Sequence, residues 1–255
     1  MAERQIQRYG WIPDIPDHRD LQFSSHFQAL AALPASVDLR PNMPGIYDQG
    51  KLGSCTANSI GAAFEYDLMK QSLPSFTPSR LFIYYNERKL EGTIKVDSGA
   101  MLRDGIKTVA KEGACKETTW PYDITKFARR PTIKSYQEGV KHVGLKYYSV
   151  TQTENDIKTA LASGFPVIFG FAVYSYFESA EMSKNAVLEL PKPGESMLGG
   201  HAVLIVGYDD ATRRFTVRNS WSANWGDNGH FYMAYDYVTN SSLADDFWVL
   251  EQISG

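Results

Sequence analysis

The chain has 255 residues, 43% hydrophobic and 22% charged, a balance that fits a folded globular protein and excludes disordered, collagen-like and coiled-coil architectures. With 26 Lys+Arg against 29 Asp+Glu the net charge is -3, so no long-range field attracts phosphate and nucleic acid is not expected as a partner. The longest apolar run, residues 165–174, is roughly half of what a membrane-spanning helix needs, so no membrane association is expected either.

The first residues, Met1-Ala-Glu-Arg-Gln-Ile-Gln-Arg, lack the apolar stretch of a signal peptide. The expectation is a cytoplasmic chain, or one delivered without a visible signal, although a secreted chain trimmed of its leader would read the same. Two cysteines, Cys55 and Cys115, form at most one bridge and fit a reducing compartment. The histidines His18, His26, His142, His201 and His230 stand singly, without metal-ligand spacing, so neither a metal nor another cofactor is expected.

Residues 1–32 hold a Pro- and Asp-punctuated stretch with no sustained period, which reads as an arm lying on the rest of the protein. At Cys55 the pattern becomes helical. Ala57, Ile60, Gly61, Phe64 and Leu68 share one helical face, the helix stops before Leu73-Pro74, and the turn at residues 50–54 places Cys55 at its N-terminus. Thr77-Pro78 reads as a cap and first turn of a second helix, reaching residue 90 before Gly92. A third helix is expected over 101–111, stopped by Gly113. Beyond residue 140 one helix remains, 154–162, followed by strand signals at 166–174, 186–190, 201–208, 214–220, 230–237 and 247–253. Helices first and strands afterwards indicate an α+β fold with two lobes, and a cleft between lobes is a common substrate site.

Cys55 is the informative residue. Most cysteines are small buried hydrophobes, but a helix N-terminus and a nearby imidazolium lower a thiol's pKa and populate the reactive thiolate. Such a partner is available in His201, 146 residues beyond Cys55, within Gly199-Gly-His-Ala-Val-Leu-Ile-Val-Gly-Tyr208. Asn219 lies in Val217-Arg-Asn-Ser-Trp-Ser-Ala-Asn-Trp-Gly226. From Leu33 onward the chain resembles a papain-like cysteine peptidase. Leu33-Pro-Ala-Ser-Val-Asp-Leu-Arg40 is similar to the start of mature family enzymes, and Gln49-x5-Cys55, Gly-His-Ala-Val and Asn-Ser-Trp-x3-Trp-Gly match the family's active-site blocks in order.

The resemblance implies a papain-like two-lobed α+β fold, with a helical lobe over 33–140, a β-barrel-like lobe over 141–255 and the active site between them. It implies a monomeric cysteine endopeptidase acting on peptide or protein substrates through an acyl-enzyme. Cys55 would be the nucleophile, His201 its ion-pair partner and proton donor, and Asn219 the group orienting His201. Gln49 and the backbone N–H of Cys55 would form the oxyanion hole, and Trp221 would shield the Asn219–His201 contact. Trp225 reads better as core packing. Gly99 and Ala100 would pair with substrate backbone, Gly200 would present backbone beside His201, and Met101, Leu102 and Gly199 would shape an apolar pocket for the second residue before the cut.

The sequence departs from the family at Leu52, where a bridging cysteine is usual, and at Thr56, where an aromatic usually follows the nucleophile. No histidine-bearing occluding insertion is visible, which favours endopeptidase over carboxydipeptidase. Two other readings share the motifs: a catalytically silent binding module, and a transpeptidase using the same acyl-enzyme. Family members are usually made with a longer helical prosegment. Here Tyr9, Trp11, Ile12, Ile15, Leu21, Phe23 and Phe27 make the arm apolar, and Pro13 and Pro16 favour an extended course. The expectation is a short prosegment or lid partly covering the cleft, with docking on the back of the strand-rich lobe as the alternative.

Overall fold

Small residues dominate the turn before the first long helix, and its last residue, Ser54, caps that helix without a side-chain bond. The computed structural model describes residues 9–27, 30, 32–143 and 146–251. The arm contributes β1 (Trp11–Ile12) and a single turn, α1 (Phe23–His26), and β2 (Ser36–Asp38) follows it. The helical half comprises α2 (Cys55–Lys70), α3 (Arg80–Leu90), β3 (Ala100–Met101), α4 (Leu102–Glu112) and α5 (Ile133–Gly139). The second half begins with β4 (Lys146–Ser149), α6 (Glu154–Ala162), β5 (Val167–Tyr174), α7 (Ala180–Asn185) and β6 (Val187–Leu188). It ends with β7 (Met197–Asp209), β8 (Arg214–Arg218), β9 (His230–Ala234), α8 (Tyr235–Val238) and β10 (Ala244–Glu251).

Eight strands form one sheet in the order β4-β10-β5-β7-β8-β9-β6, with β2 pairing the far end of β7. All its pairs are antiparallel except β6 with β9. The helical half packs on this sheet chiefly through α2, which lies against β7 with its residues from Cys55 to Phe64 buried. The apolar spacing of α2 therefore faces two partners, helices α3 and α4 on one side and the sheet on the other. The α+β class and the order of helices before strands are as the sequence predicts.

Several boundaries differ, each for a local reason. The second helix is capped by Ser79, whose Oγ accepts from the N–H of Phe82, and not by Thr77. Pro78 lies in a short antiparallel bridge with Lys116, and the residue before a proline is disfavoured in the α region, so Thr77 remains outside the helix. The strand expected over 230–237 stops at Ala234, and Tyr235–Val238 closes into a helical turn. Strand β7 begins at Met197, before the expected start at 201, because Gly199 and Gly200 pair with Val173 and Ala172. Strands β2 and β4 carry no expectation from the sequence; β4 includes Tyr147 and Tyr148, read there as ordinary packing residues. The last expected strand is found as Ala244–Glu251, and its predicted final residues, 252 and 253, lie outside the described residues.

The arm touches both halves of the fold. Phe23 is buried and stacks on Phe27, and both pack edge-on against Phe165 of the strand-rich half. Burying one such ring stabilises by roughly 1.5–3 kcal/mol, enough to anchor this end of the arm. Upstream, β1 runs parallel to β3 in the helical half, with Trp11 opposite Ala100 and Ile12 opposite Met101.

Both cysteines are free and buried, and Leu52 is buried where the family usually carries a bridging cysteine. Burial pushes the Cys115 thiol up to about 12, which makes it inert. Millimolar reductant should therefore leave Tm of the full chain unchanged in a thermal scan, whereas a loss of several degrees would mean that a disulfide supports the fold.

Candidate active site

Cys55 is the first residue of α2 and is fully buried. His201 lies in β7 and is also fully buried, with its Nε2 2.9 Å from Oδ1 of Asn219. Oδ1 of Asn219 also accepts from the backbone N–H of Ser220 at 2.8 Å, which fixes the amide so that its oxygen faces the ring. Nε2 is thus the donor, and Nδ1 is the buried nitrogen left without a hydrogen-bond partner. Trp221 covers this pair, its ring centroid 5.2 Å from that of His201. Trp225 packs edge-on behind Trp221 at 5.3 Å and near Phe177 at 5.4 Å, a core position as expected.

Gln49 is fully buried on the loop before α2. Its Oε1 accepts from Ser220 Oγ at 2.6 Å and its Nε2 donates to Leu52 O at 2.9 Å, leaving one amide proton uncommitted. Ser220 was not singled out from the sequence, although it stands inside the Asn-Ser-Trp block; its hydroxyl orients Gln49 while its backbone orients Asn219. The same loop is tied to both halves of the fold. Gln49 N–H donates to Ser220 O at 2.9 Å, Tyr122 Oη donates to Gln49 O at 3.0 Å, and Gly53 N–H donates to both carboxylate oxygens of Asp97 at 3.1 Å. Arg80 braces it from below, between the Tyr47 and Tyr122 rings and paired with Glu117 at 2.8 Å. Thr56, the departure from the usual aromatic, donates to the fully buried Glu87 at 2.7 Å. Burial raises the Glu87 pKa well above the ordinary carboxyl range, so this acid is held protonated.

The arm occupies the cleft above these residues. Tyr9 packs on His201 with ring centroids 5.9 Å apart and donates through its hydroxyl to Glu178 at 2.7 Å. Gly10 sits over Cys55 between Gly53 and Gly99; a Cβ at Gly10 would lie 1.8 Å from Gly53 O, so only glycine fits. Backbone groups of Ala202, Gly10 and Thr56 lie close enough to act on the sulfur, and the Gly10 carbonyl accepts from the Ala100 N–H at 2.8 Å.

The substrate-binding residues named from sequence divide accordingly. Gly99 and Ala100 lie against Gly10, and Gly99 has φ +74, a conformation that favours glycine. Gly200 faces the Trp11 indole, with Met101 paired opposite Ile12. Leu102 is fully buried as the first residue of α4. Gly199 corrects the expectation: it faces Tyr9, on the other side of Gly10 from Trp11, because neighbouring residues of an extended strand point to opposite faces. Two residues of the Trp11 pocket were missed. Gly170 interrupts an apolar strand, a signal of close approach that the sequence offered; Asp246, in an Asp-Asp pair, reads as an exposed charge.

Burial under the arm governs the protonation states. It pushes the Cys55 thiol up to about 12 and the His201 imidazole down to about 4. Desolvation thus works against the thiolate–imidazolium pair expected from the sequence, because it favours the neutral forms of both groups.

Residues 33–249 match the family model described as papain family cysteine protease. The chain belongs to that family and is a cysteine peptidase, a hydrolase acting on peptide or protein substrates. An uncharacterized peptidase C1-like protein of Acanthamoeba polyphaga mimivirus is 39% identical, the match covering 97% of this chain and 88% of that protein. Digestive cysteine proteinase 1 of Homarus americanus is 27% identical over 86% of this chain and 68% of its own length. Among solved structures, xylellain, a cysteine protease from Xylella fastidiosa, superimposes with a TM-score of 0.90 at 42% identity, covering 99% of both chains. Digestive procathepsin L 3 of Tenebrio molitor shares the fold at a TM-score of 0.69 and 21% identity, covering 92% of this chain and 75% of that one.

A carboxyl pair fastens the arm. Asp246 Oδ2 accepts from Trp11 Nε1 and from the Asp14 N–H, both at 2.8 Å, while Asp14 Oδ2 accepts from Trp248 Nε1 at 3.1 Å. Arg103 and Asp104 of α4 and Asp245 of β10 are the other charges acting on the pair. Burial raises Asp14 to about 6 and Asp246 to about 7. Docking therefore takes up protons: it is tightest below the free-carboxylate value near pH 4 and weakens as pH rises through 6 to 7. The hydrogen-exchange protection factor of the Ala100 amide should fall across that window, and Asp14→Asn should flatten the dependence. A profile rising with pH would contradict this role for the pair.

Proposed function

We propose that the protein is an endopeptidase whose cleft is held latent by its own N-terminal arm. With the arm displaced, water returns to the site and Cys55 and His201 adopt the thiolate–imidazolium form, favoured by the N-terminus of α2. The thiolate attacks the carbonyl carbon of the scissile bond, and the oxyanion receives the uncommitted Gln49 amide proton and the Cys55 N–H. The imidazolium gives its proton to the leaving amine, and the acyl group remains on sulfur as a thioester. His201 then takes a proton from water, which attacks the thioester and frees the acid product and the thiol. Asn219 holds the ring throughout by accepting from Nε2–H.

The observation that carries this reading is the buried Nε2-to-Asn219 bond at 2.9 Å, which leaves Nδ1 as the nitrogen for the thiol. It is supported by the membership in the cysteine protease family. The latent state is supported by the seating of Gly10 between Gly53 and Gly99 and by the packing of Tyr9 on His201. Residues 1–8 of the arm lie outside the described residues.

Cleavage of a peptide library should vanish in Cys55→Ala and fall by about 100–1,000-fold in Gln49→Ala, the usual cost of one oxyanion donor. Cleavage surviving in Cys55→Ala would remove the proposed nucleophile. For the arm, the full chain carrying Tyr9→Ala and Trp11→Ala should be labelled at Cys55 by a peptidyl epoxide at least about tenfold faster than the unaltered chain, since that factor corresponds to losing about 1.4 kcal/mol of docking. Equal rates with only a lower Tm would leave the arm a purely structural element.

A further inference from the structure

The slot that receives backbone in the cleft has two glycine walls, and one side chain fixes both from behind. A Cβ on Gly10 would lie 1.8 Å from Gly53 O, and one on Gly99 would lie 2.1 Å from Gly10 O. The gap between Gly53 and Gly99 is thus just wide enough for one backbone. Gly53 belongs to the loop that carries Gln49 and leads into Cys55. Gly99 precedes Ala100, whose N–H pairs with the backbone seated in the slot. No disulfide joins these walls: both cysteines are free, and Leu52 stands beside Gly53 where the family usually carries a bridging cysteine.

Asp97 supplies the connection. Its two carboxylate oxygens accept from the Gly53 N–H at 3.1 Å each, and Oδ1 also accepts from the Tyr84 hydroxyl. Tyr84 Oη in turn accepts from the Gly99 N–H at 3.1 Å, so the two walls are joined through Asp97 and Tyr84. Tyr84 is fully buried on α3, with the Arg88 guanidinium 3.9 Å from its ring centre. Arg88 also donates to the carbonyls of Ile94 and Val96, each at 3.0 Å, which fixes the chain leading to Asp97. A carboxylate accepting from two separate segments holds them more firmly than a neutral acceptor would.

We propose that Asp97 is a positioning residue for the peptidase reaction. It sets the spacing between the wall that pairs with substrate backbone and the loop that brings the Gln49 amide and the Cys55 N–H to the oxyanion. This role rests on the reading of the cleft as a peptidase site. Asp97 bonds Gly53 and Tyr84 and none of the reacting groups, so it acts through the loop. Substrate paired with Ala100 presents its carbonyl at a fixed place, and the oxyanion donors have to meet it there in the transition state. Without the carboxylate the Gly53 N–H loses its acceptor, and the loop is left with its ties to Ser220 and Tyr122. A displacement on the order of 1 Å at such a site costs about 100-fold in rate. Asp97→Asn has this effect at constant shape, because its amide N–H would face the Gly53 N–H, donor against donor.

The test is a cycle of variants in the full chain carrying Tyr9→Ala and Trp11→Ala, assayed with fluorogenic peptides at equal folded concentration. Asp97→Asn should lower kcat by roughly 10–100-fold while Gln49 is present. In a chain that already carries Gln49→Ala, the same change should cost no more than about threefold, since the donor it positions is gone. A merely structural role would cost the same factor in both backgrounds. Equal factors, or no loss with Gln49 present, overturn the role of Asp97 and leave the peptidase reading intact. A parent chain that neither cleaves any peptide nor is labelled at Cys55 overturns both. Should Asp97→Asn not fold, Tyr84→Phe removes the other half of the link and keeps the ring. Its loss in kcat must then depend on Gln49 in the same way, and a loss independent of Gln49 is again the overturning result.

Discussion

The packing of the α2 N-terminus on β7 is the contact that the rest of the molecule depends on. One element brings Cys55 and the other brings His201, and both are fully buried where they meet. Close approach is possible because the facing surfaces are built largely from small side chains, with Asn58, Ser59 and Ala62 of α2 opposite Ala202 of β7 around a cavity of about 10 Å³. The loop that carries Gln49 is then stitched to Ser220 on one side and to Tyr122 and Asp97 on the other. Position, more than the identity of any one group, is what this framework supplies.

The arm acts on that framework in two physical ways. Its backbone packs closely on the loop before α2, with Gly10 fitted where no side chain could pass. It also covers the site, where burial pushes the thiol up and the imidazole down. The same groups are therefore suited to reaction or to storage according to whether solvent reaches them. Catalytic residues are often identified by an activated pKa; here the arm-docked chain has the opposite shift at the same residues.

Much of this was legible in the sequence because it is written in local pattern. The helix at Cys55 follows from apolar spacing, and Cys55, His201, Asn219 and Gln49 stand in short ordered blocks. The apolar arm was legible in part: Tyr9, Trp11, Phe23 and Phe27 pack on the core, whereas Ile12, Ile15 and Leu21 stay exposed. What could not be read is what depends on contacts between distant strands. The role of Asp246 arises from a bulge between β10 and β5, and nothing in Asp245-Asp246 announces it. Ser220 joins Gln49 across 171 positions. The parallel polarity of β1 against β3 depends on where the arm is anchored and not on its composition.

That anchor has a further consequence. Phe23 and Phe27 hold the downstream end of the arm on the strand-rich half, so residues 9–11 are tethered close to the cleft. A tethered ligand competes at an effective concentration on the order of millimolar, whatever the amount of protein in solution. Dilution cannot release it, and a weak intrinsic affinity is enough to keep the cleft filled. A single break in the chain between Ile12 and Phe23 would turn the same segment into a dissociable peptide, governed by its bulk concentration. The strength of the proposed latency would thus reside in the continuity of a connecting stretch that itself touches none of the reacting atoms.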